Sequence, residues 1–169
     1  MVEPRAPGRF RRLSDGYGRL LSFLLAAAVA LLIIPVTLQI FARYTPFIPT
    51  YIWTEEMSRF CLIWMIMIGA ILAQKEGIHF VVDVFPELSP RPAALVDLIS
   101  GVFVLTFSFI FLWWGIEFVD FAWWRTSELA DIPLWWIHLP WPVLGASWLL
   151  FQGERMADAI RVLRGGEPV

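Results

Sequence analysis

Long stretches without charged residues constrain this chain more than any other feature of its sequence. Three of them define membrane spans at about residues 20–42, 97–117 and 132–153. About 20 apolar residues in an α-helix cross the roughly 30 Å of hydrocarbon in a bilayer. With 59% hydrophobic and 17% charged residues, a chain of 169 residues has too much apolar surface for a soluble core. We therefore expect an all-α integral membrane protein.

A fourth span is less regular, because its uncharged run covers only residues 60–74. It becomes long enough to cross a bilayer if the helix begins near Glu55 and continues to residue 74. Glu55, Glu56 and Arg59 then lie at its start. The sequence thus predicts one membrane domain over residues 1–169, with four transmembrane helices.

Basic residues indicate the orientation of these helices. Ten of the 13 lysines and arginines lie on one side of a four-span topology, and only Arg43, Arg59 and Arg125 lie on the other. Short segments rich in Lys and Arg remain in the cytoplasm. Both termini and the middle loop are therefore predicted to be cytoplasmic.

The cytoplasmic middle loop has a helical pattern of its own. His79, Asp83 and Glu87 recur at intervals of four residues, and apolar residues occupy other positions of the same turns. This spacing favours a short interfacial helix on the inner leaflet. An irregular loop with chance spacing is the alternative.

Tryptophan is concentrated toward the opposite, outer side. An aromatic belt at the membrane interface explains this pattern. Alternatively, some of these rings form a docking surface for an extracytoplasmic partner, for which Trp123, Trp124, Arg125 and Glu128 are the candidates. The outer tryptophans are Trp53, Trp113, Trp114, Trp123, Trp124, Trp135, Trp136 and Trp141.

Motifs for catalysis or independent transport are missing from the sequence. It contains no phosphate-binding loop and no HExxH zinc motif. His79 and His138 fall at opposite membrane faces, so they cannot jointly hold a haem or a metal. A net charge of -2 does not suggest a nucleic-acid partner. We expect neither an enzyme nor a bound cofactor, but a subunit surrounded by membrane lipid.

The start of the second span carries the densest charge. Arg43 ends the first span, and Trp53, Glu55, Glu56 and Arg59 open the second. Glu55 and Glu56 each lie one helical turn from Arg59, so an ion pair with Arg59 or Arg43 offsets the cost of charge near hydrocarbon. The remaining carboxylate is expected to face water or a partner chain.

At these residues the chain resembles the small membrane subunit (DctQ-type) of tripartite ATP-independent periplasmic (TRAP) transporters. The first matching block runs from Arg43 through Trp53, Glu56 and Arg59 to a loop motif of Lys75, Gly77, His79 and Asp83. A second, weaker block runs from Ser127 to Pro140. Lys75 stands where the family more often has Arg, and Pro-Trp-Pro at 140–142 departs from the pattern.

The resemblance implies a defined role in the bacterial inner membrane. Such subunits accompany a large permease subunit and a periplasmic solute-binding protein. Together these take up organic acids, driven by an ion gradient and without ATP. The small subunit is expected to brace the large one and to help receive the binding protein.

Two other classes of protein stay open. One is the small subunit of a tricarboxylate-type transporter or an unrelated four-span scaffold protein. The other is a small membrane redox enzyme subunit, which would need cofactor ligands within the bundle.

Overall fold

The computed structural model describes residues 9–45, 49, 51–76 and 90–163. These residues form four long or medium helices and one short helix. In chain order they are α1 (Arg9–Tyr44), α2 (Trp53–Glu76), α3 (Pro90–Ala122), α4 (Trp135–His138) and α5 (Pro140–Leu163). In the described part of the chain, the only extended pairing is a single antiparallel bridge between Thr126 and Pro133. The prediction of an all-helical protein is confirmed.

The long helices form a row. α1 packs on α2, α2 on α5, and α5 on α3. α1 and α2 run in opposite directions, as do α3 and α5. A small buried core joins α1, α2 and α5 and consists of Leu21, Ile68, Ile71, Leu144 and Phe151.

Two glycines allow α3 and α5 to approach closely. A Cβ at Gly145 would lie 2.5 Å from the backbone nitrogen of Leu112, and one at Gly115 would lie 2.6 Å from the nitrogen of Pro142. Both collisions are with backbone atoms, which have little freedom to move aside. Small residues that bring two backbones together are typical of helix pairs in membranes. α3 and α5 therefore form the tightest pair in the row.

Among the described residues, three helices are long and apolar enough to cross a membrane: Leu13–Tyr44, Trp53–Glu76 and Leu95–Ala122. They contain the predicted spans 20–42, 55–74 and 97–117. α1 continues through Pro35. α2 begins at Trp53 and so includes Glu55, Glu56 and Arg59, as the short uncharged run had suggested.

The last predicted span, residues 132–153, is not one uninterrupted helix. α4 and α5 are separated by Leu139, although the backbone of Leu139 is itself helical (φ -56°, ψ -34°). Pro140 and Pro142 lack an N–H group, so the ladder of helical hydrogen bonds is interrupted here. Only residues 140–153 of α5 precede its charged residues Glu154, Arg155, Asp158 and Arg161. The part of the chain that the structure describes therefore provides three candidate spans, whereas the sequence predicted four.

The predicted interfacial helix falls mostly on residues 77–89, which lie outside the described residues. Gly77, His79 and Asp83 belong to that segment. Lys75, the first residue of the predicted loop motif, is described and lies in the last turn of α2.

Candidate partner interface

A short hairpin connects α3 to α4. We call residues 125–134 the connecting hairpin. The N–H of Ser127 donates to the carbonyl of Ile132 at 2.8 Å, and the N–H of Leu134 donates to the carbonyl of Arg125 at 2.8 Å. Asp131 turns the chain with φ 52°, a left-handed conformation that Asp tolerates better than most residues. The hairpin therefore has its own backbone hydrogen bonds at its base.

Glu56 of α2 reaches across to this hairpin. Its Oε2 accepts hydrogen bonds from the hydroxyl of Ser127 and from the N–H of Leu129, the latter at 3.2 Å. The Ser127 hydroxyl oxygen in turn accepts from the N–H of Ala130 at 3.4 Å. Ser127 is buried, whereas Glu56 is partly buried. One carboxylate of α2 thus forms hydrogen bonds with the turn of the hairpin, and Glu56 and Ser127 are 71 residues apart in the chain.

The rest of the predicted charge cluster is more open. Arg43, Glu55 and Arg59 are exposed. Within the described part of the chain, neither carboxylate forms an ion pair with Arg43 or Arg59, and Glu56 has the hairpin donors in place of the predicted arginine. Arg43 and Glu55 line a cavity of about 380 Å³ between α1 and α2. The two groups share this cavity without a direct bond.

Polar contacts that were not predicted from the sequence join α1 to α2 near this cluster. The amide of Gln39 donates to the Ser58 hydroxyl at 2.9 Å, and Ser58 donates to the carbonyl of Thr54 at 2.8 Å. The Thr54 hydroxyl donates to the carbonyl of Tyr51 at 2.6 Å. Serine and threonine near a helix start are common signals for such bonds. Their tertiary partners, such as Gln39, have no signal in sequence spacing.

Tryptophans surround the hairpin. Trp123 stacks on Trp135 with ring centroids 5.4 Å apart, and Trp135 stacks on Trp136 at 4.6 Å. The indole N–H of Trp64 donates to the carbonyl of Trp136 at 3.1 Å. α2 therefore contacts the connection between α3 and α5 at two places, Glu56 and Trp64.

The predicted docking residues lie on the exposed side of this region. Trp124 is 90% exposed and Trp123 is 51% exposed. Arg125 is also exposed, and its guanidinium carbon lies 3.9 Å from the centre of the Phe121 ring, within the range of a cation–π contact. Glu128 is exposed on the same hairpin. All four predicted docking residues are thus exposed, and they lie in or directly before the hairpin that Glu56 contacts.

A second polar cluster lies at the opposite end of α2. The ammonium of Lys75 is 3.1 Å from a carboxylate oxygen of Asp15. Arg155 donates to the carbonyl of Lys75 at 3.3 Å. The Ser14 hydroxyl donates to Glu154 at 3.3 Å. These bonds join α1, α2 and α5, so we call this region the basal end and the region around Glu56 the hairpin end.

A buried amide pair lies directly beside the basal cluster. The side-chain nitrogen of Gln74 donates to the side-chain oxygen of Gln152 at 2.7 Å. Gln74 is fully buried and Gln152 is 5% exposed. The other amide atom of Gln74, Oε1, has no hydrogen-bond partner within the described residues. Neither glutamine was singled out from the sequence, because both lie in runs that read as plain membrane span.

The described residues offer no group of three or more His, Cys, Asp or Glu side chains that could hold a metal ion. What they offer is apolar helix surface with polar contacts concentrated at the two ends. The fold and these contacts define the class of the protein. It is a helical membrane protein whose helices are joined by side-chain hydrogen bonds, with one connecting hairpin between α3 and α4.

Comparison with known proteins identifies the family within this class. Residues 32–162 match the family model of tripartite ATP-independent periplasmic transporters, DctQ component. The matched region begins in α1 and ends in α5, and it covers more than half of the chain. The chain belongs to the DctQ family of TRAP transporter small permease components, which confirms the resemblance drawn from its motifs.

Individual relatives agree with the family match. The chain is 30% identical over 147 residues, 80% of its length, to the isethionate TRAP transporter permease protein DctMQ of Oleidesulfovibrio alaskensis. It is 27% identical over 131 residues, 74% of its length, to the C4-dicarboxylate TRAP transporter small permease protein DctQ of Vibrio cholerae. It is 29% identical over 107 residues, 63% of its length, to a putative TRAP transporter small permease protein of Haemophilus influenzae. These matches span 22%, 55% and 64% of the respective relatives.

Proposed function

We propose that this chain is the small permease subunit of a TRAP transporter in a bacterial inner membrane, where it braces a large permease subunit. The observation that carries the proposal is the family match over residues 32–162. The row of helices supports it, because large apolar side chains of α1 and α3 are exposed, Phe23 and Phe103 among them. Such surface needs lipid or another membrane protein to cover it.

The large permease is the partner we assign to part of that surface. The relative named DctMQ is a permease protein of which this chain spans only 22%, so most of that polypeptide lies outside the matched region. We infer that the remainder of DctMQ supplies the large subunit, and that a large permease subunit partners this chain as well.

The topology we propose has four crossings, with α4 and α5 together forming the last. α5 alone has 14 uncharged residues, at 140–153, which correspond to about 21 Å of helix. Leu139 and α4 extend this apolar segment. The excess of Lys and Arg at the basal end favours a cytoplasmic location for that end.

The transported compound is proposed to be an organic acid, taken up with an ion gradient and without ATP. Isethionate and C4-dicarboxylate appear in the names of two relatives and describe those proteins. For this chain we propose delivery by a periplasmic solute-binding protein. Trp123, Trp124, Arg125 and Glu128 at the hairpin end are the proposed docking residues.

Expression with the neighbouring transporter genes tests the proposal. The affinity-tagged chain is expected to co-purify with a large permease, and vesicles containing both are expected to take up an organic acid only with an imposed ion gradient and the binding protein. Co-purification with a tricarboxylate-type permease, or with no permease, would favour the alternative scaffold functions. A chromophore in the absorbance spectrum of the purified protein would favour a redox subunit.

A further inference from the structure

Glu56 was expected to act through its charge, but its contacts indicate a different role. We propose that Glu56 is a positioning residue that holds the connecting hairpin in one shape and so presents Trp124 and Arg125 to the solute-binding protein. The docking part of this inference rests on the function proposed above. The holding part concerns only residues of this chain.

A single oxygen atom of Glu56 forms both contacts with the connecting hairpin. Oε2 of Glu56 accepts from both the Ser127 hydroxyl and the Leu129 N–H, and the Ser127 oxygen then accepts from the Ala130 N–H. Three donors in the turn of the hairpin are thereby satisfied, directly or through Ser127. Buried polar groups that lose their acceptor destabilise the segment that carries them.

The hairpin needs such external support. Its own extended pairing is one bridge, between Thr126 and Pro133. Asp131 adopts a left-handed backbone conformation, which costs free energy unless the surroundings stabilise it. Glu56 belongs to α2, whereas the hairpin joins α3 to α4, so this contact fixes the turn from a separate element.

A fixed hairpin benefits docking. Trp124 is 90% exposed, and Arg125 already lies over the Phe121 ring. A surface that is ordered before binding loses less conformational entropy when the partner arrives. Loosening the turn is therefore expected to weaken docking without removing any side chain that touches the partner.

The geometry allows the role of Glu56 as a hydrogen-bond acceptor to be tested separately from the role of its charge. Because both donors meet the same oxygen, the carbonyl oxygen of a glutamine can replace it. Glu56→Gln keeps that acceptor and removes the charge. Glu56→Ala removes both. Glu55→Ala removes a neighbouring exposed carboxylate and is the matched control.

Limited trypsin digestion of the protein in lipid nanodiscs tests the holding role, with cleavage after Arg125 followed by mass spectrometry. Proteolysis of a segment that opens rapidly reports the population of its open form. We expect cleavage about tenfold faster in Glu56→Ala, from the loss of the two hydrogen bonds that Glu56 accepts. Glu56→Gln and Glu55→Ala are expected to resemble the wild type. Equal rates for Glu56→Ala and wild type, or equally fast cleavage of Glu56→Gln, would overturn the proposal.

Ser127→Ala provides a second route if Glu56→Ala does not fold. It removes one donor to Glu56 and the acceptor for Ala130, so cleavage after Arg125 is again expected to be faster than in wild type. In the double variant Glu56→Gln with Ser127→Ala, the rate is expected to equal that of Ser127→Ala alone. An unchanged rate in Ser127→Ala contradicts the holding role.

The affinity of the complete transporter complex for its purified solute-binding protein tests the docking role. Glu56→Ala is expected to weaken binding about tenfold, while Glu56→Gln and Glu55→Ala leave it within twofold of wild type, following the same loss of ordering. Faster cleavage with unchanged affinity overturns the docking part and the proposed docking surface. Unchanged cleavage with weakened affinity overturns the holding role and leaves the docking surface standing.

Discussion

The two ends of α2 are fixed in different ways. At the hairpin end, one carboxylate oxygen of Glu56 receives donors from a connecting loop. At the basal end, Lys75 bonds through both its side chain and its backbone carbonyl, and the partners come from α1 and α5. The first attachment orders a loop through one atom, whereas the second joins helices through several contacts. A single substitution is therefore expected to lower the free energy of unfolding more at the hairpin end than at the basal end.

The signs of the charges follow the helix in both cases. Glu55 and Glu56 lie in the first turn of α2 and Lys75 lies in the last. The partial positive charge at a helix start favours carboxylates there, and the partial negative charge at its end favours cations. The positions of these charges at the two ends of α2 could be predicted from the sequence. The sequence did not indicate which of them forms a hydrogen bond or an ion pair.

The largest effect is expected from Glu56→Arg. It removes the acceptor and places a cation against the two donors that Glu56 now accepts from, so we expect a loss of about 3 kcal/mol in the free energy of unfolding in detergent. Co-purification with the large permease is expected to fall as well. Glu55→Arg serves as control and should cost less than about 1 kcal/mol, because Glu55 is exposed and loses only its favourable position at the helix start. Normal co-purification and full uptake with Glu56→Arg would contradict the expectation that the hairpin end is the more sensitive end of α2.

A smaller loss is expected from Gln74→Leu beside the basal cluster. This change leaves the Gln152 side-chain oxygen buried without its donor, at a cost of about 2 kcal/mol. Replacing both glutamines with leucine should be less harmful than the sum of the single changes, because no amide is then left unpaired. Thermal denaturation of the four proteins measures the coupling. Strict additivity would mean that the pair contributes no interaction of its own.

The Lys75–Asp15 pair should matter less. The Asp15 side chain is 61% exposed, so solvent and salt weaken the interaction. We expect Asp15→Asn to cost less than about 1 kcal/mol in low salt. This difference from wild type should shrink in high salt, which comparison of melting curves at two ionic strengths will measure. A larger loss that salt does not affect would show that the basal end depends on this pair as strongly as the hairpin end depends on Glu56.

The smallest effect on stability is expected from Trp124→Ala. Its side chain is 90% exposed, so truncation should change the free energy of unfolding by no more than about 0.5 kcal/mol. Binding of the solute-binding protein should nevertheless weaken, because exposed tryptophans contribute strongly at protein interfaces. Trp113→Ala, at an exposed tryptophan of α3 outside the proposed docking residues, is a matched control. Unaltered binding in Trp124→Ala would leave the aromatic belt as the better explanation of these rings.

Several features of the fold could be predicted from the sequence. Two of the three candidate spans, those in α1 and α3, lie where uncharged runs are long, because hydrophobic length is a local property of sequence. The extension of α2 to include Glu55 and Glu56 followed from the same argument. The break at Leu139 has a signal in Pro140 and Pro142, but residues 132–153 contain no charge to mark a boundary there.

The contacts of the candidate site were harder to predict. Glu56 and Ser127 are 71 residues apart, and Gln74 and Gln152 are 78 apart. Helical spacing relates residues within one turn, so it directed attention to Arg59 and not to the hairpin. The order of the helices in the row determines which distant residues meet. That order depends on the packing of α3 against α5 and of α5 against α2.

The glycine contact between α3 and α5 has a consequence for membrane insertion. The uncharged part of α5 is short for a helix that enters hydrocarbon unaided, and its charged residues follow immediately. On the proposed four-crossing topology, close packing at Gly115 and Gly145 would make α3, which is strongly apolar, the surface on which α5 inserts. The two helices are then best regarded as one inserting unit, completed only after the ribosome has finished both. A bulky residue at Gly145 should accordingly be seen first as a failure of biogenesis, before any transport is measured.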